Sequence, residues 1–400
     1  MKDVVVKIVG GGTPSRKNER YYQGDIPWVT VKDLISSSIS DTQEKITLKA
    51  IEESATNLIP KSNVIIATRM ALGKAFINEV DVAINQDLKA LIPNKEKIIP
   101  KYLLYVYLSN KEKIESLGSG TTVKGIRLEQ VNELELFVPA IAEQKKITTI
   151  LSSIDEAIEK TEAIIERTEE VKKGFMQQLL TKGIGHTRFK KTKIGEIPEK
   201  WEVVKLKDVL ELVTRPLSMK DEEGYQLVTV KRRNGGIVPR EVLKGKEIKV
   251  KSQFYIKKGD FLISKRQIVH GACEVVPSNL DGAIVSNEYH TLLSKSNLEM
   301  DFFKWYSRTP LMMNYFLLSS VGVHIEKMLF RVEDWFKREI VLPPLEEQVE
   351  IVKTLSSIQN SININQEYLN KLQHLKKGLM QSLLTGKIRV KIDEAEVTQV

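Results

Sequence analysis

A chain of 400 residues is longer than one ordinary hydrophobic core organises, so two or three domains are expected. The hydrophobic fraction of 42% predicts a mostly folded protein; no apolar run approaches the roughly 18 residues of a membrane span, and the N-terminus lacks a signal-peptide pattern, so a cytosolic protein is expected. The single Cys273 excludes internal disulfides and cysteine-based zinc clusters, the five histidines (His186, His270, His290, His324, His374) lack metal-ligand spacing so that no metal is expected, and 61 basic against 52 acidic residues permits a polyanionic partner without requiring one.

The first segment opens with Lys2-Asp3-Val4 and mixes short β-type runs, turns and short helical stretches, as in Val29-Thr30-Val31-Lys32, 63–68 (NVIIAT) and 102–108 (YLLYVYL). This mixture predicts an α+β domain over residues 1–142. Gly10-Gly11-Gly12 and Gly118-Ser119-Gly120 lack the flanking residues of a cofactor loop and read as turns.

Pro139 opens a different pattern. Ile147, Leu151, Ile154, Ile158, Thr161, Ile165, Thr168, Lys172, Phe175 and Leu179 alternate steps of four and three, the seam of a long heptad helix, and Thr181-Lys182-Gly183 is a plausible glycine cap. The helix, placed at 143–182, is roughly 60 Å long at the rise of an α-helix. Residues 183–200, which include 186–193 (HTRFKKTK), read as an exposed linker.

A second segment, 201–346, carries echoes of the first: Lys207-Asp208-Val209 and Val228-Thr229-Val230-Lys231, at offsets of 205 and 199, with a further β-type run at 260–264 (DFLIS). From Pro343 the helical pattern returns at a constant offset of 204, through Ile351, Leu355, Ile358, Ile362, Asn365, Leu369, Leu372, Lys376, Leu379 and Leu383. A helix is therefore placed at 347–386, with a tail at 387–400. A long ungapped match means rigid structure, because loops collect insertions. Two apolar stripes of equal length are most simply satisfied by each other. Thr161 and Asn365, Lys172 and Lys376 interrupt both seams at matched positions, either as tolerated edge residues or as polar groups that fix register.

The repeated phrases are 138–147 (VPAIAEQKKI) with 342–351 (LPPLEEQVEI), LSSI at 151–154 and 355–358, and 172–181 (KKGFMQQLLT) with 376–385 (KKGLMQSLLT); 194–201 (IGEIPEKW) opens the second segment. In these residues the chain resembles the specificity (S) subunit of a type I DNA restriction-modification system, over essentially its whole length. The resemblance implies an α+β architecture of two globular target recognition domains separated by two long conserved helices, packed as an antiparallel coiled coil, with a pseudo-two-fold internal repeat. It implies that each domain reads one half of an asymmetric bipartite site in double-stranded DNA. It also implies docking of two methyltransferase (M) subunits, and of restriction (R) subunits, which bring S-adenosylmethionine, ATP and magnesium. No cofactor and no catalysis are expected in this chain, and neither a G-x-x-x-x-G-K-[ST] loop nor an Asn/Asp-Pro-Pro-aromatic tetrad is present in it. One departure is the first segment, which lacks a counterpart of 195–206. Either the family's circular arrangement supplies that piece from 387–400, or the chain begins short.

DNA contacts call for Lys and Arg at phosphates, and for Arg, Asn, Gln or Lys at base edges. The candidates in the first segment are Lys32, Arg69, Lys74, Asn85, Gln86, Lys124 and Arg127, the last two in an expected loop over 121–127. In the second they are Lys231, Arg232, Arg233, Asn234, Lys265, Arg266, Gln267, Asn287 and His324. For any one of them the competing reading is a solvated surface charge. Trp28, Trp201, Trp305 and Trp335 sit among apolar neighbours and read as core residues rather than base-stacking platforms. The competing functions are a coiled-coil scaffold without DNA readout, and a self-sufficient methyltransferase, against which the missing motifs argue.

Overall fold

A computed structural model describes residues 1–120, 124–295 and 297–392; Thr121, Thr122 and Val123 of the expected loop, and 393–400 of the expected tail, lie outside the described residues. The chain forms two compact units, Met1–Ala163 with Glu367–Val400, and Ile164–Gln366. The two long helices, Ile141–Lys182 and Leu345–Leu383, are each shared between the units, so compactness cuts across the helices rather than at residues 142, 182 and 346. Among the described residues no helix is long and apolar enough to cross a membrane.

In the first unit a five-stranded sheet runs in the order Val5–Gly10, Leu88–Pro93, Val64–Ala67, Ala75–Asn78, Ser38–Ile39, beside a four-stranded sheet of Lys45–Ile46, Ile26–Val29, Val82–Ile84 and Leu58–Ile59. The second unit repeats the order of the first four strands of the larger sheet and of all four of the smaller one, with no counterpart of Ser38–Ile39 among the described residues. Leu210–Val213, Tyr289–Ser294, Phe261–Ser264 and Cys273–Val275 form one sheet, and Ile237–Lys244, Gly224–Val230, Ile284–Ser286 and Gln253–Tyr255 the other. In both units the second sheet contains one parallel pair, Ile26–Val29 with Val82–Ile84 and Gly224–Val230 with Ile284–Ser286. The strands Val64–Ala67 and Phe261–Ser264 are buried along their whole length, which is why they read as continuous apolar runs. The 102–108 run is helical, within Pro100–Ser109, and its buried Tyr102, Leu103 and Val106 pack on Val64, Ile66 and Leu91.

Each unit pairs the start of one long helix with the end of the other. In the first, Ile147 and Leu151 share a core with Leu383 and Leu384; in the second, Leu179 and Leu180 share one with Ile351 and Leu355. Within each unit the two segments run antiparallel. In the first unit Asp155 pairs with Lys376 at 2.5 Å, and Glu143, farther back along its helix, meets Arg389 beyond the other helix's end. In the second, Lys172 donates to Gln359 Oε1 at 3.1 Å, and Glu347 meets His186. The matched lysines thus bond across the helix pair in both units, whereas Thr161 and Asn365 bond back to Ala157 and Ser361 of their own helices. Near its end the first seam departs from strict heptads: Phe175 is exposed and Met176 turns inward. A straight α-helix drifts about 20° per heptad, which accounts for such a one-residue shift. Gly183 and Gly386, with φ of 66° and 74°, stop the two helices in the left-handed conformation that glycine adopts without penalty.

The repeated Glu-Gln pairs have matched duties. Gln144 accepts from Ile99 N at 2.9 Å and donates to the carbonyls of Lys97 and Pro139, while Gln348 accepts from Glu299 N at 2.8 Å and donates to those of Asn297 and Pro343. Each glutamine therefore fastens its long helix to the short helix of the adjoining sheets. Glu143 accepts from Arg389 and from Val390 N, and Arg389 holds its carboxyl below the usual glutamate range. Glu347 accepts from Ile184 N, His186 and Trp201 Nε1. Each glutamate thus holds the chain that leaves the other helix.

The expected linker 183–200 keeps mostly exposed side chains and has structure of its own. Its residues fold into an antiparallel hairpin, Phe189–Thr192 with Gly195–Pro198, that buries Ile197 and is fixed at its base by Glu347. On Glu143, Arg389 and Val390 take the place that Ile184, His186 and Trp201 take on Glu347.

Candidate nucleic-acid interface

In the first unit the buried strand Val64–Ala67 runs out into Thr68 and Arg69. Thr68 N donates to Asp87 O at 2.9 Å, Arg69 Nε stands 3.8 Å from Asp87 Oδ1, and Asp87 N donates to Asn85 Oδ1 at 3.1 Å. From the other side, Ile126 N donates to Thr68 O and Met70 N to Lys124 O, bringing Lys124 beside Arg69. Arg69, Asn85, Gln86 and Lys124 are thereby gathered at one sheet end. Asn85 is buried with its amide engaged by Asp87, so it shapes the turn, whereas Gln86 is exposed and accepts from the Thr13 hydroxyl.

The glycines at 10–12 belong to the same corner. Gly10 closes a strand, Gly12 N donates to Ile84 O at 3.0 Å, and a Cβ on Gly11 would lie 2.2 Å from Asn85 O. They permit a close backbone pass against the Asn85 turn rather than forming a turn of their own. Lys74 is tied elsewhere, to Leu34 O at 3.2 Å, beside the 3-10 turn Val31–Asp33 that carries the exposed Lys32. Arg127 is exposed at the start of the short helix Leu128–Asn132, two residues past Gly125.

The second unit builds the same corner from different residues. Phe261–Ser264 runs out into Lys265 and Arg266; Lys265 N donates to Glu288 O at 3.0 Å, Arg266 Nε donates to Glu288 Oε2 at 2.7 Å, and Glu288 N donates to Ser286 Oγ at 3.4 Å. Phe330 N donates to Lys265 O, as Ile126 N does to Thr68 O. Thus Arg69 with Asp87 corresponds to Arg266 with Glu288, Asn85 to Ser286, and the exposed Gln86 to the exposed Asn287.

A cationic turn adjoins this corner. Residues 231–236 join Gly224–Val230 to Ile237–Lys244, with Arg233 and Asn234 both left-handed, at φ of 57° and 54°. Arg233 N donates to His270 O and Asn234 N to Gly271 O, so the turn lies on the segment that follows Gln267. Arg232 donates from Nε to Gln267 and from Nη2 to Glu326 at 2.6 Å, and His270 Nε2 stands 3.3 Å from Glu326. Exposed Lys231, Arg233 and His324 flank the cluster. Behind it, burial and the neighbouring Lys265 push His290 down to about 4, which keeps that ring neutral at pH 7. Burial likewise pushes the Cys273 thiol up to about 12, so it is an inert core group. The four tryptophans are buried as well.

Asp87, Glu288, Glu326 and His270 were not among the expected site residues, which were sought only among cations and amides. The signal present in the sequence was Arg69 and Arg266 just after a buried run, each followed some twenty positions on by an amide and then an acid, Gln86-Asp87 and Asn287-Glu288. Ion pairs this exposed contribute little stability, typically ~0–1 kcal/mol. What they fix is where an arginine points.

Comparison with known proteins accords with this architecture. The family model described as "Type I restriction modification DNA specificity domain" matches residues 1–170 and 198–374. The chain is 34% identical over 317 residues to the putative type I restriction enzyme MjaX specificity subunit of Methanocaldococcus jannaschii, covering 76% of this chain and 72% of that one. It is 29% identical to the MjaVIII specificity subunit of the same organism, over 96% of this chain and 91% of that one. Among solved structures, the type I restriction-modification S subunit from M. genitalium shares the fold, with a TM-score of 0.59 at 13% identity over 98% of this chain and 95% of that chain. With matched domains over most of its length, two units of one strand order and two long helices paired antiparallel, this chain belongs to the type I restriction-modification specificity (S) subunit family.

Proposed function

We propose that this chain is the sequence-reading, non-catalytic subunit of a type I restriction-modification complex. Each sheet domain reads one half of a bipartite site in duplex DNA, and the paired helices set the spacing and dock methyltransferase and restriction subunits. The observation that carries this reading is the repeated corner. Two domains with the same strand order place an exposed arginine on a carboxylate at the same sheet end, and surround it with different side chains, Gln86 and Lys124 in one and Asn287, Arg232 and Arg233 in the other. A shared frame with unlike readers suits an asymmetric site, because phosphate contacts position a protein and base contacts specify the sequence. S-adenosylmethionine, ATP and magnesium are assigned to the partner subunits.

The test is binding of duplex DNA by the chain with its methyltransferase subunits across a salt series. DNA readers that neutralise six or more phosphates lose about 10³-fold or more in affinity between roughly 50 and 200 mM salt. A comparable slope is expected here. Weak binding that salt leaves unchanged would favour a scaffold that joins proteins without touching DNA.

A further inference from the structure

Arg69 and Arg266 both turn Nε toward a carboxylate. Arg266 Nε donates to Glu288 at 2.7 Å, Arg69 Nε stands in longer ion-pair contact with Asp87 at 3.8 Å, and among the described residues neither terminal nitrogen, Nη1 or Nη2, has a hydrogen-bond partner in the chain. The guanidinium side chains are 54% and 57% exposed, so the fork they present faces solvent. Arg232 differs, because its Nε and Nη2 are both engaged, by Gln267 and Glu326. A guanidinium held at Nε with its terminal pair open has the geometry for two parallel hydrogen bonds to guanine O6 and N7, the bidentate contact that distinguishes G·C from the other pairs in the major groove.

The carboxylates are equally telling. Asp87 and Glu288 lie on rigid posts, with the main-chain N–H of each bonded to the side chain two residues before it and the carbonyl of each accepting from the residue before the arginine. A negative charge at a surface meant for phosphates weakens binding to every sequence. Its occurrence at the same place in both domains therefore needs a return other than affinity; with each arginine more than half exposed the ion pairs contribute little stability, although Asp87 Oδ2 also accepts from the Asn85 amide at 3.2 Å.

We propose that Arg69 and Arg266 each read one guanine, one in each half of the recognised site, and that Asp87 and Glu288 are positioning residues that aim the guanidinium at the base while opposing non-specific attachment. Arg232 is the latch that ties the 231–236 turn to Gln267 and Glu326. This assignment rests on the DNA-reading function proposed above and goes beyond it to named bases and roles.

The experiment selects bound sequences from a randomised duplex pool, using the chain complexed with its methyltransferase subunits, for the wild type, Arg266→Lys and Glu288→Gln. Wild type should enrich a G·C pair at a fixed position in each half-site. Lysine keeps the charge but loses the planar fork, so Arg266→Lys should lower the preference at one guanine by about 5- to 150-fold and leave the other half-site intact. Glu288→Gln should relax the same position several-fold, while binding to non-cognate duplex stays equal or tightens. A purely structural glutamate would instead weaken cognate and non-cognate binding together, which would overturn its assignment. Unchanged profiles in both variants, with the wild type still selecting a defined site, would overturn the guanine assignment and leave the DNA-reading function standing. Failure of the wild type to select any sequence would overturn both.

Discussion

Replacing Gln348 with alanine is expected to lower the stability of the chain by about 3–4 kcal/mol. The side chain is fully buried, and its three bonds serve Glu299 N, Asn297 O and Pro343 O. Alanine supplies none of them, and a buried polar group left without a partner costs roughly 1–3 kcal/mol. Water entering the vacated space would recover part of the loss, which keeps the estimate below the sum of three orphaned groups. Gln144, with its three equivalent partners, should behave alike. Denaturant unfolding checks the prediction, and a loss under about 1 kcal/mol in both variants would show that the repeated glutamines do not fasten the helices to the sheets.

Trp335→Ala should cost about 3–5 kcal/mol, in the range for emptying a large aromatic site. Trp335 has no exposed surface and lies 5.6–6.1 Å from the rings of Phe303, Phe316, Phe330 and Phe336, with Nε1 directed at Met312 Sδ. The variant should also weaken recognition by the second domain alone, because Phe330, seated on Trp335, bonds through its main chain to Lys265 beside Arg266. Calorimetry gives the stability, and sequence selection shows which half-site suffers. A stable protein with an unchanged binding profile would contradict this coupling of core to interface.

The parts of this fold that could be read from the sequence are those written locally. Heptad spacing from Ile147 to Leu179 and from Ile351 to Leu383 showed two long helices, and their constant offset showed that they are equivalent. The Glu-Gln pairs were visible as repeats, but not their duties, since Glu347 meets His186 and Trp201 across a long stretch of chain that no periodicity reports. Residues 183–200 read as a linker because their side chains are mostly polar; the hairpin that orders them rests on main-chain bonds and the burial of Ile197 and Pro198. Arg69 and Arg266 could be placed at strand ends from the sequence because each follows an apolar run, and both runs are buried strands. Its acids were missed because Arg69 aligns with Arg266 at an offset of 197, and Asp87 with Glu288 at 201. The intervening loops differ in length, so only the fold brings the pairs into register.

Modular reading assigns one domain to each half-site. It is tested most directly by exchanging residues 201–342 for the corresponding segment of another family member, co-expressing the hybrid with the methyltransferase subunits, and sequencing the methylated motif. One half of the motif should be replaced while the other half is kept. A motif altered in both halves, or in neither, would contradict it.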